Sequence, residues 1–214
     1  MAKAAVPPAE TRERLLEAAG LVFSEAGYRD ATVRDIVTRA GANIAAVNYH
    51  FGDKESLYAA VLEHFAHEAL HQYPPHGGLS PDAPPGDQLR AFVRAFLLRI
   101  FDRGHQAVHG KLMAREMIEP TAALDRIVGQ IIRPMYDRLR ALVRALAGPG
   151  ASPRQVELAA KSVVGQVLFY KHCAPVLERL DGRRPDSRDI DQLADHIVEF
   201  SVAGIRGLKK GGRK

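Results

Sequence analysis

Between residues 31 and 58 several helix punctuation marks crowd together, and they leave that stretch little choice of fold. Thr32 stands ahead of Val33, Arg34 and Asp35, a capping-box-like start in which the threonine caps and the acid sits near the positive helix end. The short helix predicted over 33–40 turns Ile36, Val37 and Ala40 inward, and Gly41 stops it. Asn43 then caps a second short helix predicted over 44–50. In front of both, Leu15, Leu16, Ala19, Val22, Phe23 and Ala26 recur at three- and four-residue intervals, an amphipathic helix over 10–26 that Gly27 should end. Two short helices joined by a three-residue turn behind a longer helix form the helix-turn-helix pattern.

The remainder also reads as helix. Leu57, Tyr58, Val61, Leu62 and Phe65 carry one from Lys54 to about residue 70, and the proline- and glycine-rich stretch 73–87 is a loop. Leu89, Phe92, Val93, Phe96, Leu97, Ile100 and Phe101 make the next stripe. Further helices are predicted over 108–118, 121–147, 153–172 and 187–207, with Pro134 kinking or splitting the second of these. No strand-like alternation of useful length occurs, so the expected class is all-α. Arg94 and Arg99 interrupt the longest apolar run, which is therefore no membrane span. The single Cys173 cannot form an internal disulfide, and the first ten residues lack the apolar core of a signal peptide; both point to the cytoplasm.

The basic balance says less than its total implies. Arg206, Lys209, Lys210, Arg213 and Lys214 crowd the last dozen residues without an acid and account for the whole formal net charge of +5. Over residues 1–54, Lys3, Arg12, Arg14, Arg29, Arg34, Arg39 and Lys54 are matched by Glu10, Glu13, Glu17, Glu25, Asp30, Asp35 and Asp53. Bulk charge therefore argues for no partner in that region.

Residues 11–58 resemble the DNA-binding domain of the TetR family of bacterial regulators, with Phe23, Gly27, Thr32, Ile36, Ala40, Gly41, Tyr49, His50, Phe51, Lys54 and Leu57 at the family's places. The stretches "AAVNYHFGDKESLYAAVL", "KLMAREMIEPTAALD" and "SVVGQVLFY" are similar to a CecR-like subgroup. The resemblance implies an N-terminal three-helix helix-turn-helix domain and a larger helical ligand-binding and dimerisation domain, about nine helices in all. The expected division is an arm over 1–10, the DNA-binding domain over 11–58, the larger domain over 59–208 and a basic tail over 209–214.

A helix that enters a major groove needs short side chains near its start, and Ala45 and Ala46 supply them. Asn48 can pair with an adenine edge or reach a phosphate, while Tyr49, His50 and Lys54 suit phosphate oxygens. Thr32, with the free amides of its helix, can hold a phosphate across the groove, and Arg34 and Asn43 complete the expected contact set. Ile44 and Ala46 stand where relatives often carry polar residues, and Asn48 where many carry a second tyrosine. Those departures make the chain a reader poor in side-chain hydrogen bonds and raise the share of shape readout.

Reading one half-site is too little for specificity, so a two-fold dimer is expected. Its candidate surface is Val156, Ala160, Val163, Val164 and Val167 on one late helix with Leu193, Ile197 and Ser201 on the other; ordinary intrachain core is the alternative role, and each helix has two faces, so both can hold. By family resemblance, Phe92, Phe96, Met113, Met117, Tyr136, Phe169 and Tyr170 line a pocket for a small amphipathic or aromatic ligand, oriented by Arg115, Glu116 and Gln166. No phosphate loop, nucleophile elbow or zinc-protease signature occurs, so neither enzymatic activity nor a cofactor is expected. His64, His67, Glu68 and His71 have helical spacings suited to metal ligands but lack an identifiable partner elsewhere, so no metal is expected. The expected function is a dimeric repressor that binds a (pseudo)palindromic operator, is released by a small molecule and controls efflux or transport genes. The alternative is a helical adaptor or metal-binding protein that reads no DNA.

Overall fold

A computed structural model describes residues 7–102, 107–183 and 186–208. All regular elements among them are helical: α1 (Pro8–Asp30), α2 (Val33–Ala40), α3 (Ile44–Phe51), α4 (Lys54–Gln72), α5 (Pro85–Phe101), α6 (Ala107–Glu116), α7 (Ala123–Ile127), α8 (Arg133–Ala147), α9 (Pro153–His172), α10 (Ala174–Asp181) and α11 (Ile190–Gly207). Lys3 and the basic tail over 209–214 lie outside the described residues.

The described residues form two compact units, one of 7–69 with 107–131, the other holding 70–102 and the residues from Ile132 onward. The break expected after residue 58 therefore falls elsewhere, for two physical reasons. The apolar face of α4 stays with the first unit, where Leu57, Val61, Leu62 and Phe65 are fully buried. α6 packs on α1 and buries Leu112 and Glu116 in the same unit.

In the first unit α1 opens at Pro8, whose missing N–H costs nothing at a helix start, so residues 8–10 belong to the helix and not to an arm. Gly27, at φ 85° and ψ 170°, breaks the helical run of α1 where its end was expected, and one further turn carries the chain to Asp30. α1 and α4 meet at Gly20, where an added Cβ would stand 2.1 Å from a ring carbon of Phe65. Phe23, Tyr28 and Tyr58 cluster nearby, with the Tyr58 ring edge-on to Phe23 at 4.8 Å and tilted against Tyr28 at 4.9 Å.

α6 is fastened from both sides. Arg115 Nη2 donates to the Glu25 carbonyl at 2.8 Å. Glu116, 1% exposed, accepts from the Tyr58 hydroxyl at 2.8 Å and from the Thr121 amide at 3.1 Å. Burial, reinforced by the Glu116 hydrogen bond, raises the Tyr58 pKa above its ordinary value, so the phenol stays protonated and remains the donor.

In the second unit α5, α8, α9 and α11 enclose one core built from Leu89, Phe92, Val93, Leu97, Leu139, Val143, Val156, Ala160, Val163, Val167, Ala194 and Ile197. Arg94 Nε bonds Asp191 at 2.6 Å, and Arg90 pairs with Asp195, linking α5 to α11 outside that core. The long helix expected over 121–147 is split: a π-helical turn over Val128–Ile132 separates α7 from α8, and Pro134 occupies the first turn of α8, where its missing donor is harmless. α10 was not expected; Pro175 opens it and Gly182, at φ 73°, closes it.

Candidate nucleic-acid interface

The turn between α2 and α3 is held by three sets of hydrogen bonds. Gly41 takes the left-handed conformation (φ 60°, ψ 36°), and the Ala42 amide returns to the Val37 carbonyl at 2.9 Å, closing the end of α2. The Arg14 guanidinium, from α1, donates to the carbonyls of Ala40 and Gly41. Asn43 Oδ1 then accepts from the Ala46 amide at 2.9 Å and starts α3. On the other side Thr32 Oγ1 accepts from the Asp35 amide at 3.1 Å and donates to the Asp35 carboxylate at 2.6 Å. The expected caps are thus both present, and Arg14 is a positioning residue that amphipathic spacing alone did not single out.

α3 buries one side and shows the other. Val47 is fully buried, whereas Ala45 and Asn48 are exposed and Tyr49 is 79% exposed. Ala46 and His50 are half-buried, and the His50 ring meets the Tyr49 ring edge-on at 4.9 Å. Ile44 is also exposed, so the helix presents an almost hydrogen-bond-free start followed by two polar side chains. Arg34 is exposed on α2. Phe51 is half-buried beneath the Arg12 guanidinium at 5.4 Å. Lys54 Nζ donates to the Arg29 carbonyl at 3.1 Å and lies 4.8 Å from the Tyr28 ring centre. An ammonium has three donors, so Lys54 retains capacity for a phosphate. Asp53 caps α4 through the Ser56 amide at 2.7 Å, and that hydrogen bond lowers the Asp53 pKa.

The expected pocket residues divide between the two units. In the first, Met113 is half-buried, Met117 is exposed, and Arg115 and Glu116 already have the intrachain partners given above. Both were expected to orient a ligand; instead they tie α6 to α1 and α4. In the second, Phe92 is buried in the core and Phe96 packs against it. Phe169 is exposed, and its ring lies edge-on to half-buried Tyr170. The Tyr136 hydroxyl donates to Glu157 Oε1 at 2.9 Å; burial and this bond push its pKa up to about 12. Gln166 donates to Ser201 Oγ at 3.0 Å. Arg99, 5% exposed, was not foreseen: its Nη1 donates to the Tyr73 carbonyl at 2.6 Å, and desolvation lowers its pKa to about 10.

The residues expected at a dimer surface are largely internal. Val156, Ala160, Val163, Val167, Ile197 and Ser201 are buried in their own chain, and Val164 and Leu193 are half-buried. Their stripe is the inward one, satisfied by α5 and α8. The outward stripes are Leu158, Ser162, Gly165 and Phe169 on α9, and His196, Phe200, Ala203 and Gly207 on α11.

A capped turn behind an exposed short helix defines a DNA-binding helix-turn-helix protein of the transcription-regulator class. The family model "Bacterial regulatory proteins, tetR family" matches residues 15–61, and that of the C-terminal domain of the HTH-type transcriptional dual regulator CecR matches residues 85–205. The dual regulator CecR of Shigella flexneri is 31% identical over 171 residues, 76% of each chain. The transcriptional repressor AcnR of Corynebacterium glutamicum is 43% identical over 54 residues, 25% of this chain and 29% of its own. Among solved structures, a TetR-like regulator from Rhodococcus sp. RHA1 superimposes with a TM-score of 0.68 at 21% identity, covering 95% of this chain and all of its own. SmeT, the repressor of the Stenotrophomonas maltophilia multidrug efflux pump SmeDEF, does so with 0.65 at 23% identity, covering 91% of each chain. The chain belongs to the TetR family of bacterial transcriptional regulators and carries the CecR-type C-terminal domain.

Proposed function

We propose that the protein is a dimeric repressor that places α3 of each copy in successive major grooves of a (pseudo)palindromic operator. The observation that carries this reading is the division of α3, with Val47 buried and Ala45, Asn48 and Tyr49 presented on a helix whose start is capped by Asn43. Ala45 lets the backbone approach base edges, Asn48 offers a paired donor and acceptor to adenine, and Tyr49 reaches for a phosphate. The Thr32 hydroxyl serves as a cap, so the phosphate on that side is held by the free amides that open α2, with exposed Arg34 beside them. His50 and Lys54 add backbone contacts at the other end of α3.

Two copies associate through the outward stripes of α9 and α11, where Leu158, Phe169 and Phe200 are large, apolar and exposed and Gly165 and Gly207 admit close approach. A small amphipathic or aromatic molecule held by the second unit, near Phe96 and Tyr170, releases the operator. By linkage, such a ligand must weaken DNA binding by the same factor by which DNA weakens its own binding. Similarity to an efflux-pump repressor supports efflux or transport genes as targets. A mobility-shift assay on the DNA upstream of the gene tests the reading: a retarded band that survives scrambled competitor supports it, and retardation only at concentrations that also shift the scrambled DNA contradicts it.

A further inference from the structure

Glu17, His64 and Glu68 take no part in the recognition surface described above. His64 and Glu68 are four residues apart on α4 and share one face of it. The missing partner comes from α1: His64 Nε2 lies 3.1 Å from Glu17 Oε1 and 3.7 Å from Glu68 Oε1, and the three donor atoms lie within 4.8 Å of one another. The packing that brings them together is local. Glu17 precedes Gly20 by one turn and His64 adjoins Phe65, so the side-chain-free contact of Gly20 with the Phe65 ring sets Glu17 opposite His64.

We propose that these three side chains form a site for a divalent transition-metal ion, zinc or a first-row neighbour, which ties α1 to α4. An ion with bonds of about 2.0–2.2 Å in a tetrahedral site sets its donors about 3.3–3.6 Å apart, close to the two separations seen here. Two carboxylates neutralise a dication. The imidazole nitrogen selects against calcium and magnesium, which take oxygen donors, and the absence of a thiolate from the set disfavours copper(I). The side chains are 20%, 35% and 36% exposed for His64, Glu17 and Glu68, so an ion has access and water can complete its shell. Direct pairing of His64 with Glu17 and with Glu68 is the competing account of this convergence, and the zinc titration separates the two.

The test uses the tag-free full chain, stripped with chelator and titrated with zinc chloride by calorimetry, with thermal melting in parallel. One zinc ion per chain and a raised melting temperature are expected. Glu17→Gln and His64→Gln should each weaken binding by about tenfold or more and remove the melting shift. His67→Ala and His71→Ala, at exposed positions on the same helix, should leave both unchanged. Glu68→Gln replaces any variant whose metal-free melting shows it unfolded. Absence of zinc binding, or binding that withstands loss of Glu17 and His64, overturns the site.

Discussion

Gly20→Ala sets two effects of opposite sign against each other. Gly20 lies inside α1, where alanine is favoured over glycine by about 1 kcal/mol of helix propensity. The added methyl, however, would stand 2.1, 2.6 and 3.1 Å from three ring carbons of Phe65, a side chain with no exposed surface into which to retreat. Relieving an overlap of more than 1 Å with one of those carbons requires α1 and α4 to separate, and overpacking of this kind costs about 1–3 kcal/mol. The overlap falls at the upper end of that range, leaving a net loss of about 2 kcal/mol and a fall in melting temperature of about 4–8 °C for a chain of this size. Urea unfolding followed by circular dichroism reads the difference directly. Phe65→Leu, destabilising by itself, should shrink the penalty of the alanine, with a coupling of about 1 kcal/mol in the double-mutant cycle. A Gly20→Ala protein as stable as the parent or more so, or additive effects of the two changes, would refute the packing account.

Other consequences follow from single contacts. Tyr58→Phe leaves the buried Glu116 carboxylate with only Thr121 and should cost about 1.5–3 kcal/mol in urea unfolding, an effect that shrinks to about 0.5–1.5 kcal/mol when Glu116 is already Gln, whose amide oxygen accepts only a neutral bond. Phe200, 67% exposed on the outward stripe of α11, should be essential to association: Phe200→Arg is expected to yield a folded monomer by light scattering, and a persistent dimer would remove that stripe from the interface. The hydrogen bond from Arg90 holds the Asp195 pKa below its ordinary value, so the unfolded chain takes up that proton first as pH falls. The pair's contribution is therefore present above the ordinary aspartate pKa of about 4 and is lost below it. Asp195→Asn should flatten that acid limb of the melting-temperature profile; an unchanged profile contradicts the pairing.

The caps, the glycine turn and the three-helix head were legible because each is written within a few residues: Thr32, Gly41 and Asn43 act on amides and carbonyls of their own neighbourhood. Pro134 likewise announced a break. Gly27 also marked the break in α1, and only the single turn that follows it was not legible. Gly20 gives no signal in the sequence, since its purpose depends on Phe65, forty-five residues away. The partners of Arg14, Arg115 and Glu116 were hidden for the same reason, being backbone or side chains brought close only by the fold. Most residues expected at a dimer surface prove internal, because periodicity marks an apolar stripe without saying which neighbour covers it. On α9 the Val156–Val167 stripe goes inward, and Leu158 and Phe169 remain outside.

Operator choice depends on base reading by α3. That dependence is tested most directly by measuring the affinity of an Asn48→Ala, Tyr49→Ala protein for operator and for scrambled DNA by fluorescence anisotropy, with dimer content checked. Loss of the base contact alone is worth about 1–3 kcal/mol, roughly 5- to 150-fold, so operator affinity should fall at least that far toward the scrambled value while the dimer persists. A double variant that keeps both its operator affinity and its preference over scrambled DNA would contradict the account.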